Sequence, residues 1–131
     1  VIAHESASIK LSELSIGIGP FVIAPVVQRK LGLAHFTNMC LNPKQWKTSA
    51  WALDKGVYSE MYSNMDDLNL RLSQLINEYV NYSSETTFKI KSMFWDGFES
   101  IEKEMEKRAE QSGQLVLSDS TKKILKSLQS K

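Results

Sequence analysis

The sequence predicts an α+β chain that is mostly helical, with two or three short strands. Three observations carry this. Two short extended pieces, Val1 to Ala3 and Ser8 to Leu11, precede a break at Gly17, Gly19 and Pro20. From Pro25 onward apolar residues recur at helical spacing, punctuated by capping residues and glycines. Between these helices lies one alternating stretch, Val57-Tyr58-Ser59-Glu60-Met61-Tyr62, which reads as a strand.

His4-Glu5-Ser6 joins the two extended pieces. Glycine permits positive φ and proline fixes φ, so no regular element should cross Gly17 to Pro20. Pro25 to Leu31 suits a short helix closed by Gly32. Leu33 to Leu41 suits a second, carrying Phe36, Met39 and Cys40. Asn42-Pro43 predicts another helix start, with Asn as cap and Pro in the first helical position. Trp46, Ala50 and Leu53 follow at i, i+4 and i+7, and Gly56 ends that helix. Ser63 or Asn64 caps the next, where Asp66 and Asp67 favour its positive end. Leu68, Leu72, Leu75, Ile76 and Tyr79 form its expected buried stripe. Ser83-Ser84-Glu85 opens a helix with Phe88, Ile90, Met93, Phe94 and Trp95 apolar, and Gly97 marks a joint. Phe98, Ile101, Met105 and Ala109 then line one face of a helix that Gly113 is expected to close, with Leu115-Val116-Leu117 as a link. Ser118-Asp119 cap a last helix bearing Ile124, Leu125 and Leu128.

With 131 residues, 42% hydrophobic and 24% charged, the chain is a globular one with room for a real core. A net charge of +1 gives no strong field to draw nucleic acid or an anionic membrane. No apolar run approaches the roughly 18 residues of a spanning helix. The longest, Phe21 to Val27, is broken by Pro25. The single cysteine, Cys40, excludes an intramolecular disulfide and, with no secretory signal visible, favours a cytoplasmic setting. The first residues read as a strand tail without Met, so a piece of a longer protein is expected.

Few residues carry chemistry. His4 and His35 are far apart with no partnered carboxylate, no metal-ligand spacing occurs, and Cys40 reads as a small buried hydrophobe. Trp46, Trp51 and Trp95 read as core or interface anchors. Glu13 stands apart. It lies among Leu11, Leu14 and Ile16, just before the Gly-Pro break, and desolvating a carboxylate is costly.

Ala7 to Pro20 resembles the glutamate-bearing stretch of the enoyl-CoA hydratase/isomerase (crotonase) family. Glu13, Gly17 and Pro20 fall at that pattern's glutamate, glycine and proline, and Ser12 stands where proline is usual. The resemblance continues through Lys30-Leu31-Gly32, Leu33-Ala34-His35-Phe36 and Ala52-Leu53-Asp54-Lys55-Gly56-Val57-Tyr58-Ser59-Glu60-Met61. It implies the C-terminal half of a truncated crotonase-like fold. Residues 1–63 would end the spiral core and carry the active-site turn, and residues 64–131 would form a helical region used for oligomerisation.

The resemblance further implies an acyl-CoA enzyme that adds water to, or shifts, the double bond of an enoyl-CoA thioester. Glu13 would be its general acid/base. Gly17 would give room for the turn, and Pro20 and Phe21 would line the acyl pocket. The backbone oxyanion hole, and in hydratases a second glutamate, would lie upstream, leaving this chain inactive alone. No cofactor is implied beyond the coenzyme A of the substrate; Lys122, Lys123 and Lys126 could meet its phosphates, and a charge bias toward a helix C-terminus explains them almost as well. A homo-trimer or hexamer is expected, with neither nucleic acid nor membrane as partner. Pro20-Phe21 is closer to the isomerase branch, and hydratase and isomerase both stay open. The reading of another class is a non-catalytic helical interaction module in which Glu13 is structural.

Overall fold

The computed structural model describes residues 1–129, with Phe98 described by its backbone alone. Among these residues the order is β1 (Ile2–His4), β2 (Ser8–Ile9), a 3-10 helix (Glu13–Ile16), α1 (Ala24–Leu41), β3 (Lys47–Thr48), α2 (Ser49–Asp54), β4 (Glu60–Tyr62), α3 (Met65–Val80), α4 (Ser84–Phe94), α5 (Phe98–Val116) and α6 (Asp119–Gln129). The chain is the mostly helical α+β chain expected, with four short strands. β1 pairs with β4 and β2 with β3. The chain forms two compact units, one from residues 1–8 and 48–98, the other from 9–47 and 99–131.

In the first unit β1 and β4 run parallel, with Ile2 opposite Glu60, Ala3 opposite Met61 and His4 opposite Tyr62. Parallel strands need a long crossover, and here the whole chain between them supplies it. The ladder is prolonged where the Glu5 N–H donates to the Tyr62 carbonyl at 2.8 Å. Thr48 caps α2 by accepting the Trp51 N–H at 3.2 Å. Ala52 is fully buried, and its carbonyl accepts the N–H groups of Val57 and Tyr58 at 2.8 and 3.1 Å. These bonds turn the chain from α2 toward β4. α3 packs on both β1 and β4. Asn64, one of the two expected caps, caps it by accepting the Asp67 N–H at 2.8 Å.

The two ring nitrogens of His4 are occupied by Ser6 Oγ at 2.7 Å and the Ser63 carbonyl at 3.1 Å. Arg71 grips Glu60 with Nε at 2.9 Å and Nη2 at 3.0 Å, and the Tyr62 hydroxyl donates to the same carboxylate. The guanidinium and the phenol together hold the Glu60 carboxyl below the ordinary carboxylate range.

In the second unit α1 is interrupted at Gly32, whose φ of 73° and ψ of 162° are not helical, so the two short helices expected there abut. Leu31, Phe36 and Met39 are buried along it. Ser118 caps α6 by accepting the Thr121 N–H at 3.3 Å. Lys10 places its ammonium 4.2 Å from the Trp46 ring centroid. That contact holds a Trp that is 57% exposed rather than packed in a core.

Four expectations need correction. Asn42-Pro43 starts no helix. Asn42 ends α1, its side chain donating back to the Asn38 carbonyl at 2.8 Å, and its carbonyl accepts the Gln45 N–H at 3.0 Å. Asn followed by Pro also suits the opening of a β-turn, and that use prevails here. Gly113 does not close its helix, because α5 runs through it to Val116. A mid-helix glycine costs about 1 kcal/mol against alanine, too little to end a well-formed helix.

The α3 stripe is not buried either. Leu72, Ile76 and Tyr79 are 43, 53 and 59% exposed. A 16-residue helix extends about 24 Å. The strands β1 and β4, of three residues each, extend only about 10 Å and cannot cover it. The strand at Val57 is also shorter than its alternation suggests, and the Phe98 side chain lies outside the described residues.

Candidate active site

The 3-10 helix from Glu13 to Ile16 is short because Gly17 follows it at φ 83°, a left-handed position that glycine takes without strain. The Gly17 N–H donates to the Leu14 carbonyl and the Ile18 N–H to the Glu13 carbonyl, both at 3.2 Å. This pair of bonds is a Schellman closure. Thr121 Oγ1 on α6 then donates to the Gly17 carbonyl at 2.9 Å. A Cβ on Gly17 would lie 2.6 Å from that hydroxyl, so glycine is required here by contact as well as by φ. Thr121 itself is 1% exposed.

Beyond the turn lies a cavity of about 330 Å³. Leu14, Gly17, Ile18, Gly19, Pro20 and Phe21 form one side of it. Ala24, Phe36, Cys40 and Leu41 of α1 line another, and Arg108 and Leu115 of α5 a third. The Phe21 ring folds back so tightly over Gly19 that a Cβ there would lie 2.5 Å from it. Among the described lining residues, Arg108 is the one that carries a charge.

Of the four residues expected in the site, Gly17, Pro20 and Phe21 line this cavity. Glu13 does not, although it sits on the same turn, next to Leu14, which does. Its Oε2 is buried without a hydrogen-bond partner among the described residues. An oxygen so placed has acceptor capacity left for a donor from another molecule. Its charge also reaches Cys40. Burial raises the pKa of that thiol, and the nearby Glu13 carboxylate raises it further. Cys40 is therefore a protonated wall group rather than a nucleophile.

Arg108, Cys40 and Thr121 were not expected in the site. Arg108 falls on the charged face of α5 and pairs with Glu104 one turn earlier, a pattern that reads as solvated surface. Thr121 has no local signal, since its partner Gly17 is 104 residues away. Among the described residues no cluster of three or more His, Cys, Asp or Glu side chains could hold a metal ion. No described helix is long and apolar enough to cross a membrane.

The backbone superposes on solved structures of enoyl-CoA hydratases. One, from Bacillus halodurans, matches with a TM-score of 0.88 at 21% identity, over 96% of this chain and 51% of its own. Another, from Mycobacterium avium subsp. paratuberculosis K-10, matches with a TM-score of 0.88 at 19% identity, over 99% and 54%. An enoyl-CoA hydratase/isomerase from Pseudoalteromonas atlantica T6c matches with a TM-score of 0.84 at 18% identity, over 98% and 52%. This is part of a crotonase fold. The chain spans about half the length of these structures. No family profile matches the sequence, and no curated protein matches it. At such low identity the likeness is one of crotonase architecture, and the chemistry rests on the residues themselves.

Proposed function

We propose that the chain is part of an acyl-CoA enzyme that adds water to, or shifts, the double bond of an enoyl-CoA thioester. The observation that carries this reading is the buried, unpartnered Glu13 Oε2 on a turn whose next residues wall an apolar cavity. An acyl chain in that cavity would bring its reacting carbons toward the turn. Glu13 would then exchange a proton with the α carbon or with water. Pro20 and Phe21 would shape the chain's path, and Gly17 would hold the turn open.

The thioester oxygen needs two backbone N–H donors as charge develops on it. In this reading they come from a segment upstream of this chain, which is therefore expected to be inactive alone. The intact protein would be cytoplasmic, would assemble as a trimer or hexamer, and would use no cofactor beyond the coenzyme A of its substrate. Hydration and isomerisation remain alternatives, divided by whether a second glutamate lies upstream.

The test is Glu13→Gln in the intact protein, assayed with crotonyl-CoA for hydration and a 3-enoyl-CoA for isomerisation. Loss of one activity by about 100-fold or more is expected for a general acid/base. Unchanged activity in both would sink the reading. A second reading is a non-catalytic helical interaction module. It is favoured by the exposed Ile76, Tyr79 and Val80 of α3 and Phe88, Met93 and Phe94 of α4. That reading expects Glu13→Gln to leave every function intact, and expects substitutions on α3 and α4 to abolish association.

A further inference from the structure

The apolar cavity holds one charged group among its described lining residues, and the acyl-chain reading does not use it. Arg108 of α5 lines the cavity together with residues Gly17 to Phe21. It also lines the polar cavity beside it, with Gln28, Arg29 and Glu104. Its ion pair with Glu104 engages Nη2. A guanidinium presents five N–H donors in a planar fork, so that pair leaves donors for a further acceptor. The Arg108 side chain is 30% exposed and that of Glu104 is 46% exposed, so the counter-charge is the better solvated of the two. A purely hydrocarbon chain needs no cation at its wall. A guanidinium fork is matched in shape and charge by a carboxylate.

We propose that Arg108 makes this cavity selective for an acyl-CoA whose acyl chain ends in a carboxylate. The inference rests on the acyl-thioester reading and names the substrate class of that site. The methylene portion would lie against Ile18, Phe21 and Phe36, and the terminal carboxylate would meet the Arg108 fork at the cavity edge. Glu104 would orient the guanidinium and compete with the ligand for it.

The experiment is titration calorimetry on the intact protein with adipoyl-CoA and hexanoyl-CoA. These saturated thioesters have equal chain length and differ in the terminal carboxylate, and neither can be hydrated. Wild type is expected to bind adipoyl-CoA about tenfold more tightly than hexanoyl-CoA. Arg108→Met should abolish that preference, with the loss of affinity falling chiefly on adipoyl-CoA. Glu104→Gln should widen it, a gain that a misfolded variant would not produce. Equal binding of both thioesters by wild type, or a preference that survives Arg108→Met, overturns the inference and leaves the enoyl-CoA reading standing. Binding of neither thioester overturns both.

Discussion

The hydroxyl of Thr121 donates to the carbonyl of Gly17 at 2.9 Å, across 104 residues of chain. The bond joins the N-terminal turn of α6 to the residue that ends the Glu13 helix. Thr121→Val keeps the shape and removes the donor, leaving a carbonyl short of its partner. It should cost about 1–2 kcal/mol in denaturant unfolding. Gly17→Ala should cost more. It adds about 1–2 kcal/mol of left-handed backbone strain to a contact of 2.6 Å. If both variants unfold at the wild-type midpoint, the bond does not hold the turn.

Glu13 and Cys40 should report on one another. The thiol titrates high because it is partly buried and, secondarily, because the Glu13 carboxylate is near. Glu13→Gln removes the second cause and keeps the first. The pH–rate profile for alkylation of Cys40 by iodoacetamide should move to lower pH in this variant, yet stay above that of an exposed thiol. A profile that moves upward, or one identical to wild type, would mean that the carboxylate does not face the thiol.

The cluster of Glu60, Tyr62 and Arg71 predicts a stability that depends on pH at both extremes. The Glu60 carboxyl is held low, chiefly by the Arg71 hydrogen bonds and then by Tyr62. Its contribution is complete above the ordinary glutamate range, about pH 4, and is lost as pH falls through the folded value. The Tyr62 phenol is pushed up, chiefly by its hydrogen bond to Glu60. Its contribution is complete below about pH 10 and is lost as pH rises through the folded value. Arg71→Gln should flatten the acid side of a plot of thermal midpoint against pH. An acid limb as steep as wild type would show that the pair does not govern it.

Gly19 has an ordinary φ, so its constraint is the Phe21 ring 2.5 Å from where a Cβ would sit. Gly19→Ala should therefore move the ring rather than strain the backbone. The expected result is a small change in stability, within about 1 kcal/mol, and a clear change in acyl-chain length preference. Loss of several kcal/mol with unchanged preference would place the strain in the backbone instead.

What the sequence shows of this site is what local chemistry dictates. Gly17, Gly19 and Pro20 restrict the backbone on their own, so the turn and its following loop were legible, as were the Ser83, Asn64 and Ser118 caps. Asn42-Pro43 was not, because the same dipeptide serves a helix start and a turn, and the bonds back to Asn38 and from Gln45 decided between them. Gly113 misled because one glycine weakens a helix less than its neighbours sustain it. Arg108 and Thr121 stayed hidden because their meaning lies in partners from distant sequence, and neither differs locally from a surface residue. The α3 stripe reads as core by periodicity, yet the strands it meets are too short to bury it.

The two units are interleaved along the chain, the second built from residues 9–47 and 99–131 around the inserted stretch of the first. A nascent chain leaving the ribosome cannot finish the second unit when its first segment emerges. The Glu13 turn must wait for α6, whose Thr121 fastens it, while the stretch from Thr48 to Phe98 is made. A premature stop anywhere before Ser118 would therefore also leave the distant Glu13 turn without the hydroxyl that fastens it.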